Sequence, residues 1–406
     1  MREARGTIKL QSFAATAAKA SLVAAVFSLV LPTAWLSLFL IPTIGSWFLS
    51  GQFRNRWARI RINPAALAAL GLFMLYGVGT LYSPASADDA LAGWGKYHKL
   101  LYIPLAVSLL DDAGWRHRAI DAFFWGMLLV LALSYLKWLG VVPHTDIGQG
   151  YFVFKGRIAH NIFMAFFVFL VLERAASDRP RRWLWAGIAL LAAGNVLFLV
   201  NGRTGQVILP VLLLLFIDRQ WGRRALIGTV AAGVVAMTSV LTIPPLREEL
   251  QELRLLQIQQ ELQDHQSTGP VQTSSGQRME FYRGAVALIS EHPVFGWGTG
   301  SFKSAYAHYA ARNELTNPHV PNPHNEYFLT TQQLGLVGLA ALLLMIFLVW
   351  QTSKKIDSID SGALQALVLT ITVGSLFNSL LLDAGEGKFF CLLSGAYLSG
   401  LRAART

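Results

Sequence analysis

Apolar runs of about twenty residues recur along almost the whole chain, the length a helix needs to cross about 30 Å of hydrocarbon. In lipid every backbone N–H and C=O must be satisfied internally, so a chain of this kind can fold only as helices or as a closed barrel. The runs lack the ten-residue alternation of a barrel, and several are apolar on every side. Composition agrees, with 54% hydrophobic and 14% charged residues, against about 25% charged in an ordinary soluble domain. The pattern therefore predicts an all-α polytopic membrane protein with roughly twelve transmembrane helices, placed at 12–31, 33–50, 63–82, 97–110, 119–140, 158–173, 183–200, 205–217, 224–243, 326–350, 362–382 and 388–403. Residues 1–243 hold the first nine of these, 244–325 form one long polar segment, and 326–406 hold the last three. Met1 to Lys9 leads into the first run with no small-residue cleavage site after it, so that run is read as a retained span.

The net charge of +11 could suit a nucleic-acid partner, but the basic residues fall in short groups between apolar runs. Arg54, Arg56, Arg59 and Arg61 form one group, Arg116 and Arg118 the next, then Arg174, Arg179, Arg181 and Arg182. Arg219, Arg223 and Arg224, then Lys354 and Lys355, then Arg402 and Arg405 complete the series. Lysine and arginine near span ends mark the cytoplasmic side. One orientation satisfies nearly every short connection: both termini cytoplasmic, the 244–325 segment external, membrane lipids the surroundings and no nucleic acid bound. Cys391, the only cysteine, lies in the last run and permits no intrachain disulfide.

The external connections differ in character. Asn201-Gly-Arg-Thr-Gly205 is a tight turn between two apolar runs, and a charge at bilayer depth there is expensive, about 2.5–3.5 kcal/mol or more. Arg203 therefore either snorkels to the surface or points into an external cavity that holds an anion, and its flanking glycines would let chain and ligand approach closely. Within the long segment, Pro244-Pro245 stops the preceding span. Leu246 to about Asp264 reads as an amphipathic surface helix, Ser267 to Ser275 as a polar linker, Gly276 to Glu291 as a second helix and Ser301 to Leu315 as a third. The glycine-rich stretch His292 to Gly300 lacks the lysine and spacing of a nucleotide loop and is read as a structural turn. Pro318, Pro321 and Pro323 stiffen the approach to His324.

No His/Cys zinc pattern is present, and no external Asp-x-Asp pair for a metal-bound pyrophosphate. Asp88-Asp89 is external, but such a pair is usually solvated. No metal or cofactor is expected. Arginine and histidine remain, and they suffice for transfer of a sugar from a lipid pyrophosphate: guanidinium forks neutralise the leaving charge, and a histidine takes the acceptor proton. His324, presented by prolines at the entry of a span, fits that role. Arg157, His160, Lys388 and Asp383 border the same face and could line the cavity, although snorkelled or solvated side chains account for each equally simply.

Three stretches carry a resemblance: Gly276-Gln-Arg278-x-x-x-Tyr282, Glu291-His-Pro-Val-Phe-Gly-Trp-Gly-Thr-Gly-Ser-Phe302, and Pro323-His-Asn-Glu-Tyr-Phe-Leu with Gly335 and Gly338 beyond it. Together with the arginine at the 201–205 turn, they resemble the O-antigen ligase and polymerase superfamily over roughly residues 190–345. The resemblance implies a GT-C-like membrane glycosyltransferase fold, an undecaprenyl-diphosphate-linked O-antigen as donor, and inverting, metal-independent transfer. It implies His324 as the catalytic histidine and Arg203 and Arg278 as holders of the pyrophosphate; Arg157, His160 and Lys388 are further substrate-binding candidates by their place on the same face. The expected acceptor is lipid A-core, at the periplasmic face of a Gram-negative inner membrane. One dominant external loop and a short C-terminal tail favour a ligase over a polymerase or a protein O-oligosaccharyltransferase. A lipid-linked glycan transporter would instead place ionisable residues near mid-membrane, where Lys137 alone comes close.

Overall fold

The computed structural model describes residues 2–143, 150–200, 202–242, 274–315, 317 and 320–401, and all regular elements among them are helical. In chain order these are α1 (Arg2–Phe27), α2 (Thr33–Leu49), α3 (Phe53–Arg61), α4 (Pro64–Gly79), α5 (Ala87–Gly95), α6 (Tyr102–Leu109), α7 (Ala113–Trp138) and α8 (Arg157–Ser177). There follow α9 (Arg182–Gly194), α10 (Arg203–Thr242), α11 (Ser274–Glu291), α12 (Phe302–Arg312), α13 (Glu326–Ser353), α14 (Ser358–Gly374) and α15 (Ala384–Leu398). Several start where a short polar side chain caps them: Asn63 accepts from the Ala66 amide ahead of Pro64, Ser86 from Asp89, Asp112 from Trp115 and Asn325 from Phe328. Such caps satisfy amide groups that the first helical turn leaves free.

Among the described residues six helices are long and apolar enough to cross a membrane, or seven if the pair α2–α3, bent by 111°, counts as one span. Their outward faces are greasy: Ile41 is 72% exposed, Phe198 79% and Trp183 82%, as expected of side chains that meet lipid rather than water. α3 breaks away because its sequence is basic. Arg59 donates to the carbonyls of Val107 (3.1 Å) and Leu110 (3.0 Å), and Arg56 to that of Trp47.

Two of the expected spans are joined and two others are interrupted. The runs at 205–217 and 224–243 form one element, α10, bent at Gly222 (φ 79°). The run at 362–382 stops at Gly374 and becomes a turn through 375–383, because Ser375, Asn378 and Ser379 are drawn into polar contacts with other segments. α13 is broken at Gly335 (φ 63°), and the residues before the break, Thr330 to Gln333, are buried in protein rather than facing lipid. The expected linker ends earlier than read, since α11 already begins at Ser274; the helix read at 246–264 lies outside the described residues.

The glycine-rich stretch 292–300 is what completes the α13 break. Carbonyls freed at Gln332 and Gln333 accept from the amides of Trp297 (2.8 Å) and Gly298 (2.7 Å), while the Leu336 amide donates to the Pro293 carbonyl at 2.8 Å. The turn is also pinned to the end of α4, through Thr299 N–H to the Gly79 carbonyl (3.0 Å) and Thr299 Oγ1 to the Tyr76 carbonyl (2.6 Å). A small second core of Phe281, Leu288, Phe302, Tyr306, Val320 and Leu329 then fastens α11 and α12 over the start of α13.

A Cβ at Gly335 would collide with the Val294 backbone in a left-handed conformation. Gly335→Ala should therefore lose about 1–3 kcal/mol of stability, read as a lower apparent Tm in detergent. Gly187→Ala, where a Cβ meets open space, should not lower it; equal melting of the two variants would contradict this role for the break.

Candidate functional site

His324 sits just ahead of α13, after Pro321 and Pro323. Its backbone is left-handed, φ 53°, a conformation that costs a residue with a side chain about 1–3 kcal/mol and persists only where the surroundings enforce it. The imidazole is half-buried beside the Phe281 ring, 6.1 Å between centroids. Burial, and then the nearby Arg278 guanidinium, hold its pKa below the usual 6.5. The ring is therefore a neutral proton acceptor at neutral pH. Because the folded value is depressed, the stability that comes with the neutral ring is present above the unfolded value and lost as pH falls below it.

Arg278 and Tyr282 lie four residues apart on α11, and Tyr282 donates its hydroxyl to the carbonyls of Leu376 (3.0 Å) and His324 (3.4 Å). Arg278 is itself pushed down from its ordinary pKa, first by burial and then by repulsion from Arg203 and Arg157, with Tyr282 opposing. Arg278 thus lies within electrostatic reach of His324, and Arg203 and Arg157 within reach of Arg278. Neither Arg157 nor Arg278 has a carboxylate partner among the described residues.

The placement of two of these arginines follows from Asn161. Arg157 is the first residue of α8 and Arg203 the first of α10, so both stand where helix dipoles favour an anion. One turn into α8, the buried Asn161 amide donates to the carbonyls of Val200 (2.9 Å) and Gly202 (2.8 Å). A Cβ at Gly202 or Gly205 would collide with Asn161. The glycines beside Arg203 therefore serve this helix contact; neither has the positive φ of a tight turn. Thr204 continues the connection by accepting from Asn378 at 2.8 Å, which ties the start of α10 to the 375–383 turn.

Two candidates are not brought to this group. His160 is 2% exposed and both its ring nitrogens are engaged, Nδ1 accepting from the Val153 amide (3.4 Å) and Nε2 donating to Asn195 Oδ1 (2.9 Å). It joins α8 to a π-helical turn at Asn195–Leu199 and is a structural residue. Lys388 lies on α15 in a second charged group with Lys99, Lys155 and Glu386. Lys155 is lowered by burial, an effect that Glu386 opposes and Lys388 reinforces. Asp88 and Asp89 form the first turn of α5, with Asp89 bonded to its cap Ser86. Among the described residues no group of three or more His, Cys, Asp or Glu is placed to hold a metal ion.

A cavity of about 270 Å³ opens beside the His324 segment, lined by Pro321, Leu329, Gln333, Lys96 and Lys303. A larger one, about 640 Å³, lies at the opposite end of the helices between Asp121, Glu173, Arg174, Asp360 and Tyr397. Its charges are already paired, Arg174 with Asp121 and Arg219 with Glu173. The candidate residues lie at the other end of the helices.

Residues 188–343 match the family model described as O-antigen ligase. Over that region the chain is similar to the O-antigen ligase family. The matched region runs from α9 into α13 and includes Arg203, Arg278 and His324, while Arg157 and Lys388 lie outside it. Its several long apolar helices agree with a multi-pass membrane protein. It is also similar to an uncharacterized protein of Haemophilus influenzae (strain ATCC 51907 / DSM 11121 / KW20 / Rd), 25% identical over 253 residues, 61% of this chain. The chain spans 62% of that relative's length.

Several residues that build the site escape sequence reading. Asn161 lies inside an apolar run, and Asn378 and Ser379 inside what reads as a span. Asn325-Glu326, a capping residue and a carboxylate ahead of an apolar run, is the one local signal that could have shown a supported helix start. Carbethoxylation of His324 by diethyl pyrocarbonate, followed by peptide mass spectrometry, should have its pH midpoint below 6.5. Removing the neighbouring charge with Arg278→Gln should raise that midpoint, and an unmoved midpoint would remove Arg278 as a cause.

Proposed function

We propose that this protein is an inverting, metal-independent O-antigen ligase that moves a glycan from undecaprenyl diphosphate onto a hydroxyl of lipid A-core. The observation that carries the reading is Arg278 beside the half-buried His324, with Arg203 and Arg157 within electrostatic reach of Arg278; Arg203, Arg278 and His324 fall in the region matched by the O-antigen ligase model. Like charges held together in this way favour a multiply charged anion, and guanidinium forks match the oxygens of a diphosphate.

In the proposed reaction the prenyl tail lies in lipid beside the helices and the diphosphate rests on the arginines. The acceptor hydroxyl attacks the anomeric carbon and its proton passes to the His324 imidazole. The bond from that carbon to the diphosphate oxygen breaks, and the oxygen leaves with the electron pair. Arg203 and Arg278 neutralise the charge that develops there, with Arg157 beside them. A single displacement inverts the anomeric centre. Lys388 would receive further anionic groups on the same face. The topology that suits this chemistry is the twelve-span, GT-C-like arrangement in a Gram-negative inner membrane, with the His324 end in the periplasm. The residues of α1–α10, the 244–325 segment and α13–α15 would then form its membrane, periplasmic and membrane parts.

Purified protein given lipid A-core and undecaprenyl-diphosphate O-antigen in detergent tests the reading. Wild type should form lipopolysaccharide, and His324→Ala should lose about 10²–10⁴-fold in rate. Arg203→Lys should also fall, because lysine keeps the charge but not the fork. Ligation by His324→Ala at the wild-type rate would overturn the role of the histidine. Extension of the donor glycan, or modification of a protein serine or threonine, in place of ligation would overturn the acceptor.

A further inference from the structure

The residues flanking His324 are all bonded to one segment. Asn322 Oδ1 accepts two hydrogen bonds, from the His324 amide (2.9 Å) and from Ser379 Oγ (3.0 Å). Asn325 Nδ2 donates to the Leu376 carbonyl at 3.0 Å, while its Oδ1 caps α13. The Glu326 amide donates to the Ser375 carbonyl at 2.9 Å. The fully buried Glu326 carboxylate then accepts through Oε2 from the amides of Leu381 (2.8 Å) and Leu382 (3.1 Å), and through Oε1 from the Tyr97 hydroxyl (3.4 Å). Each of the three polar residues flanking the histidine is therefore bonded to the same turn, 375–382. That turn also receives Tyr282 from α11, through the Leu376 carbonyl, and holds Thr204 from α10 through Asn378.

The arrangement has a mechanical consequence. Arg278 and Arg203 stand on α11 and α10, the two helices that reach the turn, and His324 is fixed to it by Asn322, Asn325 and Glu326. The turn is thus the common reference from which the imidazole and two guanidiniums are set out. A left-handed histidine relaxes toward ordinary backbone angles once its enforcing bonds are removed, and the ring then moves relative to the arginines. Asn322 is the most direct of these bonds: its Oδ1 joins the His324 amide to the turn at 2.9 and 3.0 Å, whereas Tyr282 reaches the His324 carbonyl only at 3.4 Å.

We propose that Asn322, supported by Glu326, is a positioning residue for His324: through the 375–382 turn it fixes the imidazole at a set distance from the arginine group. The proposal rests on the reading of His324 as the group that receives the acceptor proton. It goes beyond that reading by naming what places the ring. Asn322 touches no reacting atom in this account; it acts on rate through the geometry of another side chain, so donor binding on the arginines is left unchanged.

Transfer kinetics of the full-length protein in detergent separate this from a role in folding alone. Asn322→Ala should lower kcat by about 10²-fold, the scale of a displacement near 1 Å at a reacting group, with the donor KM unchanged. Asn322→Asp, which keeps an oxygen for both bonds, should restore most of that rate. Added to His324→Ala, the Asn322→Ala change should cost nothing further, because the group it positions is already gone. Should Asn322→Ala fail to accumulate in the membrane, Ser379→Ala carries the test: it removes one of the two bonds and should lower kcat at constant KM. Unchanged kcat in Asn322→Ala or, in its place, Ser379→Ala overturns the proposal. So does an equal further loss in the His324→Ala background. If His324→Ala itself transfers at the wild-type rate, the functional reading fails first; if it is inactive while the Asn322 variants are normal, this inference fails alone.

Discussion

A backbone amide that is neither in a helix nor in water must find another partner, and the site exists because this chain breaks its helices and then meets that requirement side by side. α13 opens at Gly335 and the glycine-rich turn closes it. α14 stops at Gly374, and the amides of the following turn are taken by the Glu326 carboxylate. The chain between α9 and α10 leaves helical geometry at Val200 to Gly202, and Asn161 takes its carbonyls. Irregular backbone is tolerated at such depth only where protein buries it or water lines it. The breaks accordingly cluster at one end of the helices, where the polar side chains that satisfy them also gather the reactive ones.

The two ends of the molecule use arginine differently. At the basic-turn end, guanidiniums stitch helices together: Arg116 pairs with Asp357 and Asp360, Arg174 with Asp121, Arg219 with Glu173, and Arg59 caps carbonyls. At the His324 end, Arg157, Arg203 and Arg278 repel one another, and Arg157 and Arg278 have no carboxylate partner among the described residues. Paired arginines stabilise a fold. Burial, and then Arg278, hold the pKa of His324 below its ordinary value; in the proposed reaction that leaves the imidazole free to accept a proton.

The helices were legible because apolar length and N-terminal capping residues are local signals, and the ends of α4, α8, α11 and α13 fall within a few residues of where the sequence puts them. The interruptions were not. Gly335 sits in an apolar run where a glycine is ordinarily tolerated, and its left-handed conformation depends on a turn forty residues away in sequence. Ser375, Asn378 and Ser379 look like minor polar residues in a span until their partners on other helices are known. Arg203, Arg278 and His324 could be singled out by residue type and by resemblance, but that Arg157 joins them is a fact of helix packing. His160 shows the reverse: residue type and position near the same face suggested a ligand contact, and burial with two hydrogen bonds gives it to the fold.

The central claim is that the crowded arginines await a diphosphate. The most direct test is the apparent Tm of the purified protein with a prenyl diphosphate, compared with the same concentration of the corresponding prenyl alcohol. A ligand that binds only the folded state raises Tm by mass action. The diphosphate should stabilise wild type well beyond the alcohol, less so at high salt, and the difference should vanish in Arg278→Gln. Equal stabilisation by the alcohol, or an undiminished diphosphate effect in that variant, would contradict the account.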